Sequence, residues 1–158
     1  MKRLMVFASA WLFVGCDAEV DGTAGHADVR AAPQVEWLNA PGTESMELPF
    51  SAGVRVDDML FLSGAIGLVP GTRSLAEGGI QPETRQTLEN ISARLKMFGS
   101  SMDNVVKCTV FLADMSEWSA MNEVYTTFFV NKPARSALGA SGLALDARVE
   151  IECIAVID

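Results

Sequence analysis

The chain has 158 residues, 49% of them apolar, and a formal net charge of −8. That length fits one domain with a core large enough to need neither a metal nor a disulfide framework. Strong acidity without a basic run excludes phosphate-backbone binding as a first expectation, so a small molecule or a protein is the expected partner and no nucleic acid is.

Lys2 and Arg3 precede an apolar run from Leu4 to Val14. The run is too short to span a bilayer. Val14-Gly15-Cys16 follows it and resembles the cleavage box of bacterial lipoproteins, with Cys16 as the lipidated first mature residue. Phe13 departs from the leucine usual at its position, and an ordinary secretory signal is the alternative. The expectation is an exported protein, lipid-anchored to a bacterial membrane and touching it only through that lipid. Residues 17–34 are rich in Ala, Gly and Asp and read as a flexible tether, with the folded domain at 35–158. The only histidine, His26, lies in the tether, so histidine-based nucleophilic chemistry is not expected, nor is a metal centre.

Val54–Val56 and Met59–Ser63 read as two short strands around a turn at Asp57-Asp58. Gly64–Gly79, with five glycines and a proline, reads as loop with at most a short extended piece. Pro82–Phe98 reads as a helix: Pro82 suits its first turn, Leu88, Ile91, Leu95 and Phe98 form one apolar stripe, and Gly99 caps it. Val105–Leu112 reads as a strand. A second helix is expected over Trp118–Phe129, started by Asp114 or Ser116, with Trp118, Met121, Tyr125 and Phe128 as its stripe and Asn131-Lys132-Pro133 as its stop. The last strand alternates Val149, Ile151, Cys153, Ala155 and Ile157 against Glu150, Glu152, Ile154 and Val156. The half-charged, half-apolar second side suits another subunit better than water. Cys108 and Cys153 fall in strand-like runs and are expected to be buried thiols, with a disulfide as the alternative. The fold class is α+β, a single mixed sheet with two helices on one face.

Five blocks now stand in order: Arg85–Asn90, Val106–Met115, Met121–Tyr125 with Phe128-Phe129, Pro133–Ser136, and Val149–Ala155. Together they resemble the Rid (YjgF-type) family of imine/enamine deaminases over about residues 45–158. The resemblance implies a chorismate-mutase-like fold, a homotrimer with a site at each subunit interface, no cofactor, and hydrolysis of 2-imino acids to 2-keto acids and ammonia. It implies that Arg135 holds the substrate carboxylate, for which a planar guanidinium with two parallel donors is suited. It implies that Glu152 positions and activates water, as a carboxylate general base can. Ser63 and Asn122 resemble residues near the family's site. Phe50, in Pro49-Phe50-Ser51, stands where the family has a tyrosine, and Ala137 where it often has a cysteine. Ala65 and Gly67 also depart from the family's Ser-Gly-Gln-Ile-Pro block, so the polar lining is thinner, which suits either a larger or more apolar substrate side chain or a weak enzyme.

Plainer roles exist for each residue. Arg135 can be a surface arginine pairing with any acid, Glu152 an interface ion-pair partner of an arginine such as Arg148, Ser63 a turn residue and Asn122 a helix-surface residue. A non-catalytic trimeric protein that binds small carboxylates on the same scaffold is the second functional expectation. Endoribonuclease activity, a name carried by some family members, is disfavoured by the acidic charge.

Overall fold

The computed structural model describes residues 31–39 and 48–157. The expected leader, Cys16 and most of the expected tether lie outside those residues. Seven strands and two helices follow in chain order: β1 (Val35–Leu38), β2 (Gly53–Val56), β3 (Met59–Leu62), β4 (Ala65–Ile66), α1 (Ile80–Met97), β5 (Val105–Leu112), α2 (Trp118–Tyr125), β6 (Ala134–Gly139) and β7 (Val149–Val156). They form one mixed sheet in the order β1-β2-β3-β7-β5-β6, with β4 also paired to β7. Only the β5–β6 pairing is parallel, and the chain returns between those two strands through α2.

The two-residue period of β7 decides the layering. Val149, Ile151, Cys153 and Ala155 are buried, whereas Glu150, Glu152, Ile154 and Val156 keep partial or full exposure. The buried set meets Leu88, Ile91 and Leu95 of α1 and Met121 and Tyr125 of α2 in one core. Both helices cover that side of the sheet, and α1 packs on α2, β4 and β7. The opposite side carries Phe61 and Leu138, each more than 40% exposed, alongside Ile154 and Val156. The side of β7 that sequence reading reserved for another subunit is thus the side without helices.

The turn between β2 and β3 falls at Asp57-Asp58, with Asp57 at φ 50°, as the paired aspartates predict. Gly99 takes φ 82° just past α1, which suits a residue without a Cβ. Asp114 starts the approach to α2 by accepting from the Ser116 backbone N–H at 2.8 Å. Several boundaries differ from expectation. α1 begins two residues before Pro82. α2 ends at Tyr125 rather than Phe129, and Thr126–Phe128 continue as turn. β1 and β6 were not read as strands, and β4 is the short extended piece allowed within the expected loop. β6 matters most, because Arg135 is its second residue.

Cys108 and Cys153 are not thiols: they form a disulfide, with Cα atoms 4.1 Å apart. The expectation fails because the two are 45 residues apart in sequence yet directly opposite on antiparallel β5 and β7. Burial, which favoured the thiol reading, is correct for both at 1% exposure, but register brings the two sulfurs together.

Candidate active site

Arg135 sits on the helix-covered side of the edge strand β6. Its register partner on β5 is Cys108, a core residue. The side chain therefore runs along the underside of the sheet toward α2. There its Nη1 donates to Asn122 Oδ1 at 2.8 Å. The guanidinium carbon lies 4.5 Å from the Tyr125 ring centroid and 5.7 Å from that of Trp118. Trp118, Asn122 and Tyr125 stand at i, i+4 and i+7, so one face of α2 presents two rings and an amide together. Each contact restrains a different freedom: the rings hold the cation close to α2, and the amide fixes where Nη1 points. Tyr125 leans on Phe129, whose centroid is 4.6 Å away.

Asn122, Tyr125, Thr126, Phe129, Lys132, Pro133 and Arg135 enclose a cavity of about 270 Å³. Two expected site residues, Arg135 and Asn122, meet here. The Tyr125 hydroxyl is buried without a hydrogen-bond partner among the described residues. Burial raises the phenol pKa, and the positive charge of Arg135 opposes the rise.

Glu152 lies elsewhere. It faces the side of the sheet without helices, directly opposite Thr109 of β5, and lines a cavity of about 140 Å³ with Phe61, Leu62, Lys107, Thr109, Cys153 and Ile154. Within one chain, Arg135 and Glu152 are on opposite faces of the sheet. Within the chain, Arg148 bonds Glu117 at 2.6 Å; the interface ion pair considered for Glu152 concerns contacts between chains. Ser63 and Phe50 share a third cavity with Trp37, Leu48 and Val54. There the Ser63 hydroxyl donates to the Ser51 carbonyl at 2.7 Å, which fixes Ser51-Phe50 beside the end of β3. Ala137 lies on the same side of β6 as Arg135 and packs against the core, where its small side chain offers no polar contact.

Sequence reading missed how this scaffold is braced. Asn90 of α1 donates to the carbonyls of Ile66 at 3.0 Å and Leu68 at 2.9 Å. Arg94, one turn later, donates to those of Ser63 and Gly64 at 3.3 and 3.4 Å. Burial lowers the Arg94 pKa below its ordinary value. The segment that looked like a glycine-rich loop is thus tied to a helix. Glu83 is 4% exposed and accepts from the Arg148 backbone N–H at 2.8 Å, which positions the start of β7. A Cβ on Gly67 would lie 2.5 Å from Glu83 Cγ and 2.8 Å from the Glu83 carbonyl oxygen, so only glycine lets that strand edge approach α1. Trp118, Tyr125 and Lys132 were read as core stripe and helix stop. Their helical and near-neighbour spacing to Asn122 and Arg135 was the available signal.

A mixed sheet with two helices on one face, and an arginine on its parallel edge strand, defines a fold shared with known proteins. Residues 37–157 match the family described as Endoribonuclease L-PSP, and the chain belongs to that family, the Rid/YjgF proteins. It is 44% identical over 109 residues to the mouse protein named 2-iminobutanoate/2-iminopropanoate deaminase, covering 68% of this chain and 81% of that one. The solved structure of the Rid-family protein YyfA from Yersinia pestis superposes with a TM-score of 0.72 at 34% identity, covering 78% of this chain and all of that one. E. coli TdcF, solved with bound serine, gives 0.67 at 33% identity over 77% of this chain and 94% of that one.

Proposed function

We propose that the protein hydrolyses reactive 2-imino and enamino acids to 2-keto acids and ammonia. The observation that carries the reading is the guanidinium of Arg135, held by Asn122, Tyr125 and Trp118, whose remaining donors meet no acceptor among the described residues and can grip a planar carboxylate. Relatives at 40% identity and above that bear the name imine deaminase support it. In the proposed reaction the water oxygen bonds to C2 as Glu152 accepts one proton from it, and the C=N π pair moves to nitrogen, which takes a proton from solvent. Glu152 then gives its proton to the amino nitrogen of the adduct, and the hydroxyl proton passes to solvent during collapse. The C2–N bond then breaks, ammonia leaves and the carbonyl forms.

Because Arg135 and Glu152 lie on opposite faces within one chain, a site holding both must form between chains. We propose a homotrimer whose open sheet faces, with Phe61, Leu138, Ile154 and Val156, turn toward one another. Exposed apolar area of this kind supports burial by assembly. Ser63 and Phe50 then contribute the wall facing the substrate side chain.

Export with lipid on Cys16 belongs to the same proposal. The Cys108–Cys153 bond supports it, since disulfides persist in oxidising compartments and are rare in cytosol. Mass spectrometry of the mature N-terminus would check the lipid.

The decisive experiment feeds purified protein with imines generated by an amino-acid oxidase and follows keto-acid release in the wild type, Arg135→Ala and Glu152→Gln. Acceleration lost in both variants supports the proposal. Carboxylate binding without acceleration would instead establish the second reading, a binding protein on this scaffold, which the apolar Phe50 and Ala137 favour. RNA cleavage is not proposed despite the family's description, because a chain of net charge −8 lacks the footprint for a phosphate backbone.

A further inference from the structure

The cavities of this acidic protein differ in one respect. Elsewhere their cations stand beside acids: Arg55 with Glu36, Asp57 and Asp58, Lys107 with Glu152, and Arg85 with Glu89. Among the described residues, the cavity at Arg135 is lined by two cations, Arg135 and Lys132, and by no acid. Its other lining groups are an amide, a hydroxyl, two aromatic rings and a proline. A single carboxylate on Arg135 leaves the second positive charge uncompensated.

We propose that Lys132 is a specificity-determining residue for a second acidic group, so that the favoured substrates are 2-imino dicarboxylic acids. The inference rests on the reading of Arg135 as the clamp for the first carboxylate. The two cations are three residues apart, and Pro133 restricts the backbone between them. Three extended residues span at most about 11 Å, and both side chains are long, so the cations can meet the two ends of a four- or five-carbon diacid. A volume of about 270 Å³ lies just under the usual range for ligand pockets and suits a molecule of that size. Tyr125, Phe129 and Pro133 flank the carbon chain. Lys132 is exposed, so its ammonium is a hydrated point charge at the cavity mouth, whereas Arg135 fixes orientation further in. The inference differs from the expectation of a more apolar substrate, which rests on Phe50, Ala65 and Ala137 rather than on the charges of this cavity.

Two measurements test it. The first compares kcat/KM for imines generated from aspartate and from 2-aminobutyrate, in wild type and Lys132→Met, by oxidase-coupled keto-acid release. The expected wild-type preference for the diacid is about fivefold, the size of a partly exposed charge pair. It should shrink to near unity in Lys132→Met through KM for the diacid, and weaken as salt rises. The second titrates succinate and butyrate into the same two proteins by calorimetry, with the same ratio expected. Equal handling of mono- and diacids by wild type overturns the inference, as does a Lys132→Met variant that changes both alike. If no imine is turned over but succinate binds in a Lys132-dependent way, the deaminase reading fails and the diacid site stands. If monoacid imines are turned over without diacid preference, the reverse holds.

Discussion

Exchanging Arg135 for lysine keeps the positive charge and removes the geometry, so it isolates what the site depends on. A lysine can offer one hydrogen bond to a carboxylate where the guanidinium offers two in parallel. The second, charge-assisted bond is worth about 1.5–2 kcal/mol. A flexible ammonium also gives up the cation–ring contact held at 4.5 Å from the Tyr125 centroid, about 0.5–1 kcal/mol at a part-exposed site. Together these come to about 2–3 kcal/mol of lost transition-state binding, or roughly 30- to 150-fold in kcat/KM. The assay is oxidase-coupled keto-acid release with saturating oxidase, so that imine hydrolysis limits. Circular dichroism and thermal unfolding show whether the variant folds, and the Asn122 amide left behind lies near enough to solvent to find water. If Arg135→Lys keeps kcat/KM within threefold of wild type, a simple point charge suffices. The argument from plane and fork would then be wrong.

Further outcomes follow from other parts of the fold. Glu152→Gln should lower kcat about 10²- to 10⁴-fold while leaving the assembly state of the wild type unchanged, read by coupled kinetics and sedimentation. Tyr125→Phe removes a buried, unpartnered hydroxyl and should leave stability unchanged or slightly higher in urea unfolding, whereas Tyr125→Leu loses the ring beneath Arg135 and should raise KM. Because burial raises the Tyr125 pKa above its ordinary 10.0, its contribution to stability is present below that pH and lost as pH rises past it. An alkaline unfolding series should show the step, and Tyr125→Phe should remove it. Reducing Cys108–Cys153, which closes a 45-residue separation, should destabilise the domain by about 4 kcal/mol at most in denaturant titrations with and without reductant. Gly67→Ala should cost about 1–3 kcal/mol in unfolding free energy, since the new methyl meets Glu83 backbone as well as side chain.

Legibility in the sequence tracked how local each cause was. α1, β5 and β7 were readable because an apolar period of 3.6 or 2 runs through each, and the Asp57-Asp58 turn because two aspartates tolerate its backbone. β6 was not, because Ala134–Gly139 alternates between small and half-buried residues, and a parallel edge strand is defined by its neighbour rather than by its own pattern. Arg135 and Glu152 were picked out by resemblance to a family, yet their placement on opposite faces depends on β5–β6 and β5–β7 register, which no local signal carries. The disulfide was missed for the same reason. The grip of Asn90 and Arg94 on the 63–68 backbone could not be read either, since side-chain donors facing distant carbonyls leave no periodic trace.

The covalent tie between β5 and β7 has a consequence for recovery from heat. A strand that slides by one position swaps its inner and outer residues, which here would drive Glu152 into the apolar interior and turn Cys153 outward. With the sulfurs joined, that sliding is forbidden even in a melted chain. An oxidised protein cooled after denaturation therefore starts its return with one pair of facing positions on these two neighbouring strands already joined.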